Sequence, residues 1–359
     1  MELASSKAIV TNGAGQTGPT TGLAAPHFRP QPDRRSTGDV EVKTSTLSDN
    51  SILPLVVEPA ADHVSVSELS QFIAARQGWF TEMLCRHGGV LFRAFDVQTV
   101  AQFQQVSRAV IPELMPYIEG QSPRKKVADN VYTSTEFPAQ YRITLHNELS
   151  YAKSAPRRII FFCQTPPATG GETPILDCRA LYAAMDPEIR SKFEALGVRY
   201  VKNMHGRDRG LGKSWSEHFE TDDRATVEEY LRANDIQFEW TADGTLRTWS
   251  TRPGTLRHPV TGEMHWFNQA NLWHITNVDE RHRKQLLVRY GEEHLPTHAL
   301  FGDGTPIPAD MLDRVREAMW DNAVIFPWHE GDVLVLDNYL VAHGRMPFLP
   351  PRKILVAMG

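Results

Sequence analysis

The chain of 359 residues carries 38 Lys and Arg against 43 Asp and Glu, a formal net charge of −5 that offers no long-range attraction to nucleic acid or an anionic membrane. Three scattered cysteines, Cys85, Cys163 and Cys178, have the spacing of neither a disulfide framework nor a structural zinc site, which fits a reducing cytoplasm. No apolar stretch nears the roughly 20 residues of a membrane helix, and the N-terminus does not read as a secretory signal, so small-molecule partners are expected.

Residues 1–48 are rich in Gly, Ser, Thr and Pro and hold too few large apolar side chains to offset the entropy of ordering them, so a disordered N-terminal tail is expected there. No later linker divides residues 49–359, which are expected to form a single domain. Helical periodicity over 65–87 is closed by Gly88-Gly89, and "GVLFRAF" then reads as a strand. A helix is expected over 97–110. Farther on, Asp177 can cap one helix, Asp186-Pro187 can start a second, and Gly197 can end it. Strand signals follow in "GVRYVKN", in "IQFEWTADGTLRTWS" with a turn at Asp243-Gly244, and in "EMHWFNQ". Helices near 223–235 and 279–291 precede the closing strands in "GDVLVLDNYLVAHGR" and "RKILVAM". Strands early and late with helices inserted between them predict an α+β fold around an antiparallel barrel or jelly roll.

One stretch carries chemistry within this frame. In "ITLHNELSY", residues 143–151, a strand would turn Thr144, His146, Glu148 and Ser150 to one face and Ile143, Leu145 and Leu149 to the other. An imidazole and a carboxylate would then stand side by side. Chance yields about 1.7 His-x-acid pairs in a chain of this composition, so the pair alone says little. A second pair, His218 and Glu220, precedes an amphipathic segment and reads as a surface turn. A third donor is available in His343, at the end of a distant apolar run. Two His and one carboxylate leave open positions of the kind used by Fe(II) oxygenases. Zinc is the main rival; His294 and His298 have the spacing of a zinc-binding helix, but no Glu follows His294 and Pro296 would break the helix.

Together, "HNELSYA", "PRRIIFFCQTPPATGGETPILDCRALY" and "GDVLVLDNYLVAHGRMPFLPPRKILVAM" resemble the TauD/TfdA family of Fe(II)- and 2-oxoglutarate-dependent dioxygenases, in particular the branch with the SyrP-like amino-acid hydroxylases of natural-product pathways. The likeness runs from about residue 50 to 359. It implies a double-stranded β-helix core (jelly roll) with helical insertions, His146, Glu148 and His343 as iron ligands, and Thr173 and Arg352 on the distal carboxylate of 2-oxoglutarate. Arg352 shares a strand face with Ile354 and Val356, where a guanidinium needs an anion; Asp332 or Asp337 is the competing partner within the protein. Gly170-Gly171 is expected to shape the turn before Thr173. Halogenating relatives carry a small residue in place of the acid, so Glu148 implies hydroxylation.

Three residues are candidates for substrate binding: Arg345, two positions beyond His343; Asn268, among aromatics; and Asn147, beside the ligands. Trp266 and Trp273 read as core or dimer contacts. The expected activity is hydroxylation of an amino acid or an amino-acid-derived intermediate, free or tethered to a carrier protein, with O2 as co-reactant. Desaturation, epoxidation or another oxidative rearrangement at the same iron remains open, as does a jelly-roll binding protein with a vestigial site. A homo-oligomer is equally open.

Overall fold

The structure, a computed structural model, describes residues 40–49, 51–117, 124–134, 137–206 and 212–359. The expected tail therefore lies outside the described residues up to position 39. Its last part departs from expectation: Val42–Ser48 is a strand paired antiparallel with Ser51–Pro59. Most of its side chains are exposed, so backbone pairing rather than burial orders it, and no hydrophobic pattern announces it.

Eight strands make the major sheet, in the order Val42–Ser48, Ser51–Pro59, Gly89–Phe92, Val333–Asp337, Arg158–Thr165, Lys353–Met358, Val131–Thr133 and Lys126–Ala128. Every pairing is antiparallel except that of Ser51–Pro59 with Gly89–Phe92. The run "RIIFFCQT" lacks polar alternation because both of its faces are buried. Ile160 and Phe162 face a core shared with the helices Val66–Ala75, Gln77–His87 and Val100–Val110. Ile159, Phe161 and Cys163 face the other way, into a core shared with Ile175 and Val341. Those two residues belong to a three-stranded sheet, Ile143–His146, Val341–Arg345 and Ile175–Asp177. Two sheets around one core make the jelly roll.

Local sequence explains most helix ends. Ser65 with Glu68 and Thr99 with Gln102 form capping boxes, Asp177 and Asp186 cap the helices Cys178–Ala184 and Pro187–Leu196, and Gly197 ends the latter at φ +66°. The helix expected over 65–87 is instead two helices that meet at Arg76. There the Gln77 amide donates to the carbonyls of Ile73 and Ala109, satisfying the break and tying it to the next helix. The helix Ala309–Asp321 was not expected, although its buried Met311, Leu312, Val315 and Met319 repeat at helical spacing. Among the described residues no helix is long and apolar enough to cross a membrane.

Candidate metal centre and its cavities

The small sheet brings the two distant segments together. His146 and His343 are direct partners across antiparallel strands, and their rings lie 4.6 Å apart. Close approach needs Gly344: a Cβ there would come within 2.7 Å of the Ile143 carbonyl oxygen. The strand expected through residue 151 stops at His146, so Glu148 reaches the site by another route. A turn follows, with Leu149 at φ +54°, and Asn338 grips it. The Glu148 peptide N–H donates to Asn338 Oδ1 (2.7 Å), and Asn338 Nδ2 donates to the carbonyls of Glu148 (2.9 Å) and Pro156 (2.8 Å). Asn338 itself begins the turn that carries the chain from Val333–Asp337 in the large sheet to Val341–Arg345 in the small one. One amide thus ties the two ligand-bearing segments together.

Donor atoms of His146, Glu148 and His343 all lie within 4.8 Å of one another, and among the described residues no other group of three His, Cys, Asp or Glu does so. His146 Nδ1 is 2.9 Å from the Thr144 carbonyl oxygen. Because a carbonyl only accepts, the proton sits on Nδ1 and Nε2 keeps its lone pair for a metal. Burial, reinforced by the neighbouring His343, pushes the His146 pKa down to about 4, so the ring is neutral at ordinary pH. Burial alone would raise the Glu148 pKa; the Arg124 guanidinium, with Nη2 2.7 Å from Oε2, holds it well below the usual range. The same oxygen lies 3.6 Å from His343 Nε2. Two imidazoles and one ionised carboxylate fit Fe(II).

A small cavity beside these donors is lined by Thr173, Ser134, Arg124, Arg345 and Arg352. Neither acid named as a competitor holds Arg352: Asp332 pairs with Arg93 (2.7 Å) and Asp337 with His258 (3.2 Å). Among the described residues Arg352 donates only to neutral oxygens, from Nε to the Gly171 carbonyl (2.8 Å) and from Nη1 to Ser134 Oγ (3.3 Å). Burial and the nearby Arg345 push its pKa down to about 10. Trp328 Nε1 donates to Thr173 Oγ1 (3.1 Å), which leaves the threonine hydroxyl proton to be given to another acceptor. The turn at Gly170-Gly171 is needed here: Gly171 has φ +73°, and a Cβ on it would lie 2.9 Å from Arg352 Cδ.

Each of the three candidates for substrate contact has hydrogen-bond partners within the protein. Arg345 donates to the carbonyls of Phe137 (2.8 Å), Pro138 (2.8 Å) and Tyr141 (2.9 Å), so it pins the 137–141 loop. Asn147 turns away from the donors and gives its amide to the Asn338 carbonyl (2.7 Å). Asn268 spans Gly254 and Ala270, a satisfied buried amide that shapes a turn. His218 and Glu220 end a short helix, with His218 beside Lys202 and away from the metal donors. Trp266 is fully buried against Phe193.

Sequence reasoning missed Asn338, a polar residue between two apolar runs, and Arg124, the first of three consecutive basic residues. It also missed a second opening onto His146. A cleft of about 620 Å³, lined by Phe137, Tyr141, Ile143, Leu272 and Trp273 among others, ends on the same imidazole.

Comparisons with known proteins accord with this geometry. Residues 51–358 match the family described as "Taurine catabolism dioxygenase TauD, TfdA family". The chain is 39% identical over 313 residues to the dapdiamide synthesis protein DdaC of Enterobacter agglomerans, covering 86% of this chain and 94% of that protein. It is 30% identical over 317 residues to the clavaminate synthase-like protein At3g21360 of Arabidopsis thaliana, covering 85% and 93%. Among solved structures, PvcB of Pseudomonas aeruginosa shares the fold at a TM-score of 0.50 and 15% identity, over 92% of this chain and 94% of that one.

Proposed function

Since the chain belongs to the TauD/TfdA family and is an Fe(II)- and 2-oxoglutarate-dependent dioxygenase, we propose that it hydroxylates an unactivated carbon of an amino acid or amino-acid-derived intermediate in natural-product biosynthesis. The observation that carries this reading is His146, whose imidazole is a wall of both the small cationic cavity and the large apolar cleft. Co-substrate and substrate can therefore approach one metal from two sides. The relative named for dapdiamide synthesis supports the biosynthetic setting.

In this reading His146, Glu148 and His343 hold iron. When bound, iron with 2-oxoglutarate and O2 supplies an oxidant able to break an unactivated C–H bond, the keto acid leaving as succinate and CO2. The protein's part is binding and positioning. Arg352 offers its guanidinium to the distal carboxylate of the keto acid, and Thr173 donates its hydroxyl proton to the same group. Phe161 and Ile354 close the floor of that cavity against water. The cleft's aromatic wall takes the apolar body of the substrate, and its size suits an acylated or carrier-tethered amino acid as well as a free one.

Anaerobic titration with Fe(II) and 2-oxoglutarate tests the centre. A weak visible charge-transfer band is expected, and it should vanish in His343→Ala; a band unchanged by that substitution removes His343 from the centre. Succinate release is then measured across amino acids and their carrier-protein thioesters. Product mass distinguishes hydroxylation, a gain of one oxygen, from desaturation, a loss of two hydrogens; epoxidation of an alkene also gains one oxygen and is recognised by loss of the double bond.

A further inference from the structure

We propose that Trp273 sets the size of substrate this site admits: it is the partition between the substrate cleft and an inner cavity, and it limits how far a substrate group can extend beyond the metal. The inference rests on the reading above that substrate occupies the cleft. It names the class admitted, a molecule whose buried part is short and ends against a flat aromatic wall.

Two cavities share this residue. The cleft of about 620 Å³ that ends on His146 has Trp273 in its wall beside Leu272 and Thr297. An inner cavity of about 60 Å³, walled by Tyr151, Tyr200, Tyr230, Lys202 and His218 among others, has Trp273 in its wall as well. Among the described residues no other residue lines both. The Trp273 ring packs on those of Tyr151 and Tyr200, with centroids 4.8 and 5.1 Å apart, so the indole closes the inner cavity from the cleft side. Behind it the lining turns polar, with Lys202 Nζ 3.3 Å from the His218 ring nitrogens. An apolar substrate group is therefore stopped by the bulk of the indole and by the polar groups beyond it.

A partition measures substrate only if it is fixed relative to the metal. Trp273 ends the one-turn helix Ala270–Trp273, and the residues before it are bonded to the backbone on both sides of His146. Asn271 Nδ2 donates to the Leu145 carbonyl (3.0 Å), and Gln269 Nε2 donates to the Asn147 carbonyl (2.5 Å). The Gln269 peptide N–H donates to the Tyr200 hydroxyl (2.8 Å), which ties the same turn to the wall of the inner cavity. The indole is thus held at a set reach from His146. A steric limit in an apolar pocket discriminates homologues by about tenfold or more per methylene.

The 1-alkanols from butanol to nonanol are the probe, titrated calorimetrically into the full chain loaded anaerobically with Fe(II) and 2-oxoglutarate. In wild type, affinity is expected to rise about fourfold per methylene and then to level at the chain that reaches the indole. In Trp273→Ala the rise should continue for at least two further methylenes, filling the room left between the tyrosine rings. Trp273→Phe, which keeps a ring against those tyrosines, should level one methylene later than wild type and serves if the Ala variant fails to fold. Both variants should keep the charge-transfer band, because Trp273 does not line the small cavity. The proposal is overturned if neither variant levels later than wild type, if wild type shows no levelling, or if both variants lose the band, which would make Trp273 a support for His146 only. Wild type that binds no alcohol removes substrate from the cleft and overturns this inference with it. A wild-type chain that forms no band overturns the dioxygenase reading, whereas a band with one levelling length common to all three proteins overturns this inference alone.

Discussion

Asn338 shows how much of a metal centre rests on a residue that touches no metal. Its side chain satisfies both backbone polar groups of Glu148 and the carbonyl of Pro156, all buried. Replacing it by Ala leaves those three groups unpaired inside the protein, at a cost on the order of 2–4 kcal/mol. The turn that presents Glu148 would also loosen, and positioning residues of this kind typically change metal affinity by about 10- to 100-fold. Asn338→Ala is therefore expected to lower the melting temperature and weaken Fe(II) binding together, measured by thermal denaturation and anaerobic titration. Unchanged iron affinity in a destabilised variant would reduce Asn338 to a structural role. Sequence reading could not reach this residue, because nothing in "VLDNYLV" says that the amide would bridge to a segment 190 positions earlier.

At the scale of elements, part of the site was legible and part was reached by an argument that the structure revises. Period-two alternation correctly marked Ile143–His146 as a strand and put His146 on its functional face, but Glu148 was placed by extending that strand, whereas it arrives on a turn held by tertiary contacts. Alternation reports neighbours along the chain and carries no information on where pairing ends. Caps were easier, since Asp177, Asp186-Pro187 and Gly197 act within a few residues of themselves. The Gly170-Gly171 turn was equally legible, and its role at the site can be tested. Ala at position 171 must adopt φ near +73°, a left-handed conformation costing about 1–2 kcal/mol for an L-residue, and its Cβ would press on Arg352. Gly171→Ala is expected to raise the Kd for 2-oxoglutarate about tenfold or more, read from the charge-transfer titration, while Fe(II) affinity without the keto acid changes little. Equal losses in both affinities would show that the turn supports the metal ligands instead.

Across the whole molecule, folding buries several histidines as neutral rings, and this sets how stability depends on pH. Burial pushes His218 down to about 3, with Lys202 adding to the effect, and His274 down to about 3, with His298 adding to it. His265, fully buried, is pushed down to about 4, again by burial first. In the unfolded chain each titrates near the ordinary value of about 6.5. The sign follows: as pH falls below about 6.5 the unfolded state takes up protons that the folded state refuses, so stability present above that pH is lost progressively toward pH 4. The melting temperature is expected to be level between pH 7 and 8 and to fall steadily below 6.5, before most carboxylates titrate. His265 isolates the cause, because its ring lies in the protein interior stacked on Tyr339, outside the metal centre. His265→Phe keeps an aromatic ring and removes the titration. Its melting temperature relative to wild type should therefore be more favourable at pH 5 than at pH 8. An identical offset at both pH values would mean that protonation of this histidine contributes nothing to acid unfolding, and that the loss below 6.5 comes from the other buried rings.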